Sequence, residues 1–275
     1  MPYASRHWQE LSTRDFEAAR ESGLAARTIA ILPVAAVEQH GPHLPLEVDA
    51  RLLQGVMDAA LARLPGELPV LVLPPQTIGL STEHLSYPGT LSLPPETLLA
   101  LWGALGDAVA RAGIPTLLLL NSHGGNVAPM DIAARTLRQR HGLRVWRCSW
   151  SDLPLPDEVR ALFSAEEHRF GIHGGAVETS MMLHLAPATV HMEHARSWRS
   201  ASQDRAERCA IAGNGKSVKL GWAIEDYNAS GAVGDATAAS AEKGARLVAA
   251  AGEALARLIV ELQPLEPPAA RPRQA

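Results

Sequence analysis

The sequence is short of cysteine, of aromatic side chains and of long apolar runs, and it carries no excess of positive charge. Two cysteines, Cys148 and Cys209, are too few for a disulfide framework, and no CxxC pair points to structural zinc or thiol redox chemistry. Aromatic residues make up 4% of the chain, so a core drawn from the 47% hydrophobic content must be built mainly of Leu, Val, Ala and Ile. Apolar runs such as "IPTLLLLN" stop far short of the ~18 to 20 residues needed to span a bilayer. The start, "MPYASRHWQELSTRDF", has no apolar core of the signal-peptide kind. A formal net charge of −4 offers no electrostatic basis for binding nucleic acid or an anionic membrane. These absences predict a soluble, cytoplasmic protein, with no nucleic acid and no membrane involved.

What is present is a repeated order of apolar run, polar or Gly-rich turn, and helical pattern. "TIAILPV" (28–34), "LPVLVLPPQ" (68–76), "IPTLLLLNSHGGN" (114–126) and "LRVWRCSW" (143–150) read as strands. Helical spacing follows over 49–64, 94–113 and 127–142, and again over 175–187 and 241–263. Strand, turn and helix repeated four times predict an α/β fold of three layers, α/β/α, around a mostly parallel central sheet. Without an internal repeat or a linker, residues 1–263 read as one domain, and the Pro-, Ala- and Arg-rich stretch 264–275 as a disordered tail.

Chemistry concentrates in three stretches. "VEQHGPHLPLEVDA" (37–50) crowds Glu38, His40, His43, Glu47 and Asp49 just past the first strand, and "NSHGGN" (121–126) follows the third. Ligands of open α/β sheets bind beyond the carboxyl ends of the strands, so both loops should face one crevice. Glu38, His40, Asp49 and His123 form a mixed N/O donor set that suits Zn²⁺, Mn²⁺ or Fe²⁺, and a carboxylate can bridge two such ions. "HRFGIHGGAVETS" (168–180) adds His173 and, in the first turn of an otherwise apolar helix, Glu178. A carboxylate there suits the helix dipole without any function, yet a largely buried one needs a partner, which a metal ion would supply. His43 is expected to hold the loop and Glu47 to face solvent or pair with a neighbour. Asn121 and Asn126 are expected to bond the turn backbone. Gly124 and Gly125 either form the turn or let backbone approach substrate, and His84 either lines a pocket or is structural.

Four blocks in order, "EQHGPHLPLEVD", "EHLSYPGTLSL", "NSHGGN" and "HGGAVETSMML", resemble the creatininase family, with "GAVGDATAASAEKG" (231–244) similar to a closing segment of that family. The likeness is to its "HGGN" branch rather than to creatininase proper. It implies an α/β/α fold, a dinuclear metal centre with two divalent ions per chain (Zn, Mn or Fe), a small-molecule substrate, and a homo-oligomer, frequently a hexamer. On this resemblance Glu38, His40, Asp49 and His123 match the metal ligands. Asp49 would bridge, Glu38 and His123 would complete one ion, and His40 would serve the other. Creatininase has a further glutamate where this chain has Gly125, and Glu178 is the candidate to replace it. His173 matches the catalytic histidine region, whereas "EEHRFGIH" lacks the tryptophan of creatininase's substrate environment. The implied activity is that of a metal-dependent amidohydrolase, in which metal-activated water cleaves a non-peptide or cyclic C–N bond such as an amide, lactam or formamide. The alternatives are a metal-dependent lyase, isomerase or ring hydrolase acting on a sugar-like ketone, and a non-catalytic binding protein with a vestigial site.

Overall fold

The computed structural model describes residues 2–263, and the expected disordered tail lies outside them. The chain opens with α1 (Thr13–Glu21), closed at its start by a reciprocal capping box between Ser12 and Asp15. Three strand–helix units follow: β1 (Ile29–Val34) with α2 (Val48–Leu61), β2 (Val70–Val72) with α3 (Pro95–Arg111), and β3 (Thr116–Asn121) with α4 (Val127–His141). After β4 (Arg144–Ser149) come α5 (Asp157–Arg160), α6 (Ala165–Phe170) and α7 (Ala176–Leu185). A two-residue strand, β5 (Ser197–Trp198), precedes α8 (Ala201–Arg208) and pairs antiparallel with β6 (Gly234–Asp235), and α9 (Ala241–Leu262) ends the described chain.

The four long-range strands pair in parallel in the order β2-β1-β3-β4. Alternate residues of β1 divide the core, because successive side chains leave opposite faces of a strand. Ile29 and Ile31 join α2, α7 and α9 on one face, while Ala30, Leu32 and Val34 join α1, α3 and α4 on the other. Both faces are covered, so β1 and β3 are buried throughout and carry no polar alternation. The expected three-layer α/β/α architecture is what the chain adopts.

Two expected strands are shorter than their apolar runs. β2 stops at Val72 because Pro33 of β1 has no N–H and Pro74 and Pro75 have none to offer in return. Gln76 then rejoins the ladder, donating to the Pro33 carbonyl and accepting from Ala35 N–H, each at 2.9 Å. β4 is an edge strand, and its Trp146 and Arg147 are exposed, so it lacks the continuous apolar character of β1 and β3. Among the described residues no helix is long and apolar enough to cross a membrane.

Chain order reverses between β1 and β3. β1 leads through α2 to β2 on one side, and the chain then returns to place β3 on the other. The two loops leaving their carboxyl ends diverge to opposite faces, and such a switch point opens a crevice.

Candidate metal centre and its cleft

That crevice holds the site. Glu38 and His40 lie on the loop after β1, Asp49 in the first turn of α2, and His123 just past β3. His173 and Glu178 flank the start of α7. Glu38, His40, Asp49, His84, His123 and His173 are all buried, the most exposed of them at 5%.

Hydrogen bonding at the far nitrogen sets each ring's tautomer. His123 donates from Nε2 to the Leu80 carbonyl at 2.8 Å, which leaves Nδ1 a lone pair. That Nδ1 faces Glu38 Oε2 at 3.1 Å and Asp49 Oδ2 at 3.4 Å. His40 donates from Nδ1 to the Glu38 carbonyl at 3.1 Å. Its Nε2 then faces Asp49 Oδ1 at 3.7 Å, with Glu38 Oε1 and Glu178 Oε2 each at 3.9 Å. Lone pairs and carboxylates thus point at one another across both gaps, which is stable only with protons or cations between them.

Without a metal the protons must serve. Burial opposes an imidazolium at His40, but Asp49, Glu178 and Glu38 outweigh it and raise the ring to about 9. The same contest, won by Glu38 and Asp49, holds His123 well above the ordinary histidine range. Burial lifts Glu178 to about 7 despite His40 beside it, whereas Glu38, though buried, is held low by His123, His173 and His40.

A divalent cation fits the donors better than protons do. Two bonds of about 2.1 Å meeting at a tetrahedral angle set their donor atoms roughly 3.4 Å apart, and the separations above bracket that spacing. His40 Nε2 and Asp49 Oδ2 are buried with no hydrogen-bond partner among the described residues. Asp49 turns Oδ1 to one histidine and Oδ2 to the other, the arrangement a bridging carboxylate requires. Glu38, His40 and Asp49 stand close enough together to hold an ion, as do His40, His173 and Glu178, and His123 meets Glu38 and Asp49 beside them.

Linkage makes this testable. The folded metal-free protein keeps protons on His40 and His123 that an unfolded histidine, near 6.5, has released. Their stabilisation is complete below pH 6.5 and is lost as pH rises through the folded value, about 9 for His40. The melting temperature of chelator-stripped protein should fall between pH 6.5 and 9. The gain on adding zinc or manganese should be larger at pH 8.5 than at 6.5, because bound metal displaces those protons. A flat metal-free melting profile across that window would contradict the protons assigned to His40 and His123 in the metal-free state.

His173 lies between His40 and His84, stacked on each with 4.1 Å between ring centres. Nε2 donates to the Gln39 carbonyl at 2.6 Å, leaving Nδ1 3.7 Å from Glu38 Oε1. Burial, with His40 and His84 adding to it, keeps this ring neutral. His84 is buried behind Glu38, 3.4 Å from Oε1, and burial lowers it to about 4. Three residues that no sequence pattern singled out complete the centre. Gln39 donates to His84 Nδ1 and to the Gly231 carbonyl, each at 2.8 Å. Ser81 donates to Glu38 Oε2 at 2.5 Å, and Glu83 stands 3.6 Å from His123 Nε2.

The remaining loop residues sort by contact. His43 bonds Thr179 at 2.9 Å, away from the centre, and Glu47 pairs with Arg51 in solvent at 3.0 Å. Asn121 bonds the backbone of His123 at both ends, and Asn126 ties Leu80 N–H to the Ala35 carbonyl. Gly124 lines the cleft with open space beyond its Cα. Gly125 does not line it, because a Cβ there would run into the Leu80 carbonyl and the His123 ring. That carbonyl is the one His123 donates to, so glycine is required by the histidine's support.

The cleft, of about 460 Å³, is lined by this centre, by Trp150 and by Trp222, whose ring meets that of His84 edge-on with 6.1 Å between ring centres. Two tryptophans thus line it, although "EEHRFGIH" contains none. They come from the end of β4 and from the segment before β6.

Comparison with known proteins places the chain in a family. The family model described as creatininase, creatinine amidohydrolase, matches residues 9–259. The chain belongs to the creatininase family. Among curated relatives, this creatininase-family chain is 31% identical over 243 residues to a mycofactocin precursor peptide peptidase of Mycobacterium tuberculosis (strain CDC 1551 / Oshkosh), covering 85% of each. A crystal structure of creatinine amidohydrolase (creatininase) superposes with a TM-score of 0.76 at 27% identity, covering 96% of this chain and all of that one. A mutant creatininase described as Zn-Zn type superposes at 0.74, also 27% identical, over 95% of this chain and 99% of its own.

Proposed function

We propose that this creatininase-family chain is a metal-dependent amidohydrolase, holding two divalent ions and cleaving the C–N bond of a small amide, lactam, formamide or short peptide. One observation carries the reading: Asp49 presents its two oxygens to two different histidine lone pairs in a buried pocket. The name of the mycobacterial relative extends the substrate class to peptides, and that of the creatininase structure to cyclic amides. Bound between these donors, divalent ions would supply Lewis acidity, acidifying a water and polarising the substrate carbonyl.

The protein's own groups do the rest. Glu38, held by Ser81, fixes the centre's inner wall. The Leu80 and Glu38 carbonyls keep His123 and His40 in the tautomers that point lone pairs inward. His173, neutral and anchored through Nε2, has only Nδ1 free to take up a proton and return it to the leaving nitrogen. Gly124 lets substrate lie against the backbone of the β3 loop.

The direct test is elemental analysis of untagged protein purified without added metal, followed by an amide screen in ¹⁸O-labelled water. About two ions per chain and one labelled oxygen in the carboxyl product are expected. An unlabelled product would shift the reading to the lyase or isomerase. Self-association is proposed as well. Ile211, Val218 and Leu220 are 70%, 51% and 52% exposed on the segment leading to Trp222, so the chain should run larger than a monomer by light scattering.

A further inference from the structure

The cleft has two chemically different ends. One is the carboxylate and histidine centre; the other is walled by Trp150, Leu155, Val159, Phe163, Val177 and Leu247. Trp150, Val159, Phe163 and Leu247 are each no more than 7% exposed, and Leu155 and Val177 are half-buried at the chamber's face. The two ends are joined by short stretches of backbone. Val177 adjoins Glu178 in the first turn of α7. Trp150 follows Ser149, which pairs with Asn121 across β3 and β4, so the indole starts about one strand spacing, roughly 4.8 Å, from the residues leading to His123.

Charged groups meet the chamber at its margin. Asp152, Arg160 and His168 are exposed there. Glu167 is buried in the lining, its Oε2 accepting the Asp235 N–H at 2.9 Å and its Oε1 without a hydrogen-bond partner among the described residues. Water held against such apolar walls finds few partners and is readily given up to a hydrocarbon group. A small polar substrate would occupy the centre and leave this space unused.

We infer that the chamber is a specificity subsite for an aliphatic or aromatic substituent of the amide substrate, carried beside the scissile bond. The inference rests on the hydrolase reading above, since it places the scissile carbonyl at the metal centre. Substrates with such a substituent should be preferred over small polar amides.

Hydroxamates test this without knowledge of the substrate, because one chelating head can carry arms of different length. Calorimetry on the metal-loaded full chain would compare acetohydroxamate with hexanohydroxamate. Each methylene buried is worth roughly a fourfold gain, so with two or three of its four extra methylenes buried the longer arm should bind about fifteen- to sixtyfold tighter. In Leu155→Asp, at a half-buried position packed on the core, that ratio should fall towards one, with circular dichroism showing the fold kept. Val159→Ala, which keeps the wall apolar, should reduce it by less than tenfold. Equal affinity of the two hydroxamates for the wild type would overturn the subsite and leave the metal centre standing. A gain that survives Leu155→Asp would also overturn it. No binding of either to the metal-loaded chain would remove the open coordination position that the hydrolase reading needs, and the subsite with it.

Discussion

Asp49→Ala is expected to abolish turnover, by at least about a thousandfold, and to release both ions together. In the proposed two-ion centre each ion would draw a donor oxygen from this one side chain, so its loss would leave each site two donors. A thousandfold loss corresponds to about 4 kcal/mol of barrier, within the several kcal/mol that metal-ion catalysis supplies. Asp49→Asn should do nearly as much, because an amide offers one acceptor oxygen and cannot bridge. The fold should survive both changes. Asp49 contributes no side-chain hydrogen bond to α2, and Ser122 holds that helix start through the Asp49 backbone carbonyl at 2.6 Å. Metal analysis beside circular dichroism separates the outcomes. A variant that keeps near-wild-type turnover, or loses one ion while the other stays tightly bound, would refute the bridged arrangement.

Gly125→Ala should damage the protein although it adds one methyl group outside the cleft. The new Cβ meets the Leu80 carbonyl, the His123 ring and Glu83, and a backbone carbonyl cannot swing aside as a flexible side chain can. Overpacking of this kind costs about 1–3 kcal/mol, or roughly 2–10 °C in melting temperature for a chain of this size. Moving Leu80 also removes the acceptor that fixes the His123 tautomer, so zinc affinity should fall by about tenfold to a hundredfold, the range seen when a ligand's outer partner is lost. Gly124→Ala, one residue earlier, has nothing within 4 Å of its Cβ and should leave the melting temperature unchanged. Parallel thermal melts and zinc titrations of the two variants check this. Equal effects at the two glycines would mean that the loop, rather than the Leu80–His123 contact, governs the site.

The difference between these glycines marks how far the sequence could be read. "HGGN" announces a turn at a strand end and a donor within it. Which glycine faces the cleft depends on where Leu80 lies, forty residues away. Gln39 and Ser81 were overlooked for the same reason. Neither residue type signals a site, and each matters because a loop folded from elsewhere gives it a histidine or a carboxylate to hold. Glu83 is similar, since its carboxylate belongs to the centre only once the 81–84 turn packs under His123.

By itself the sequence determined the layering of this protein. Runs apolar at every position can only be strands buried on both faces, and the helical periods between them dictate parallel crossovers. The same local chemistry put Glu38, His40, Asp49 and His123 at the carboxyl ends of strands. The shared crevice is an expectation from the sequence, but the tertiary structure decided that β1 and β3 lie side by side to form it. It also brought His173 and Glu178 from more than a hundred residues away, and chose which ring nitrogens keep their lone pairs. Strand order and tautomer are set by contacts between distant segments, and no periodicity along the chain encodes them.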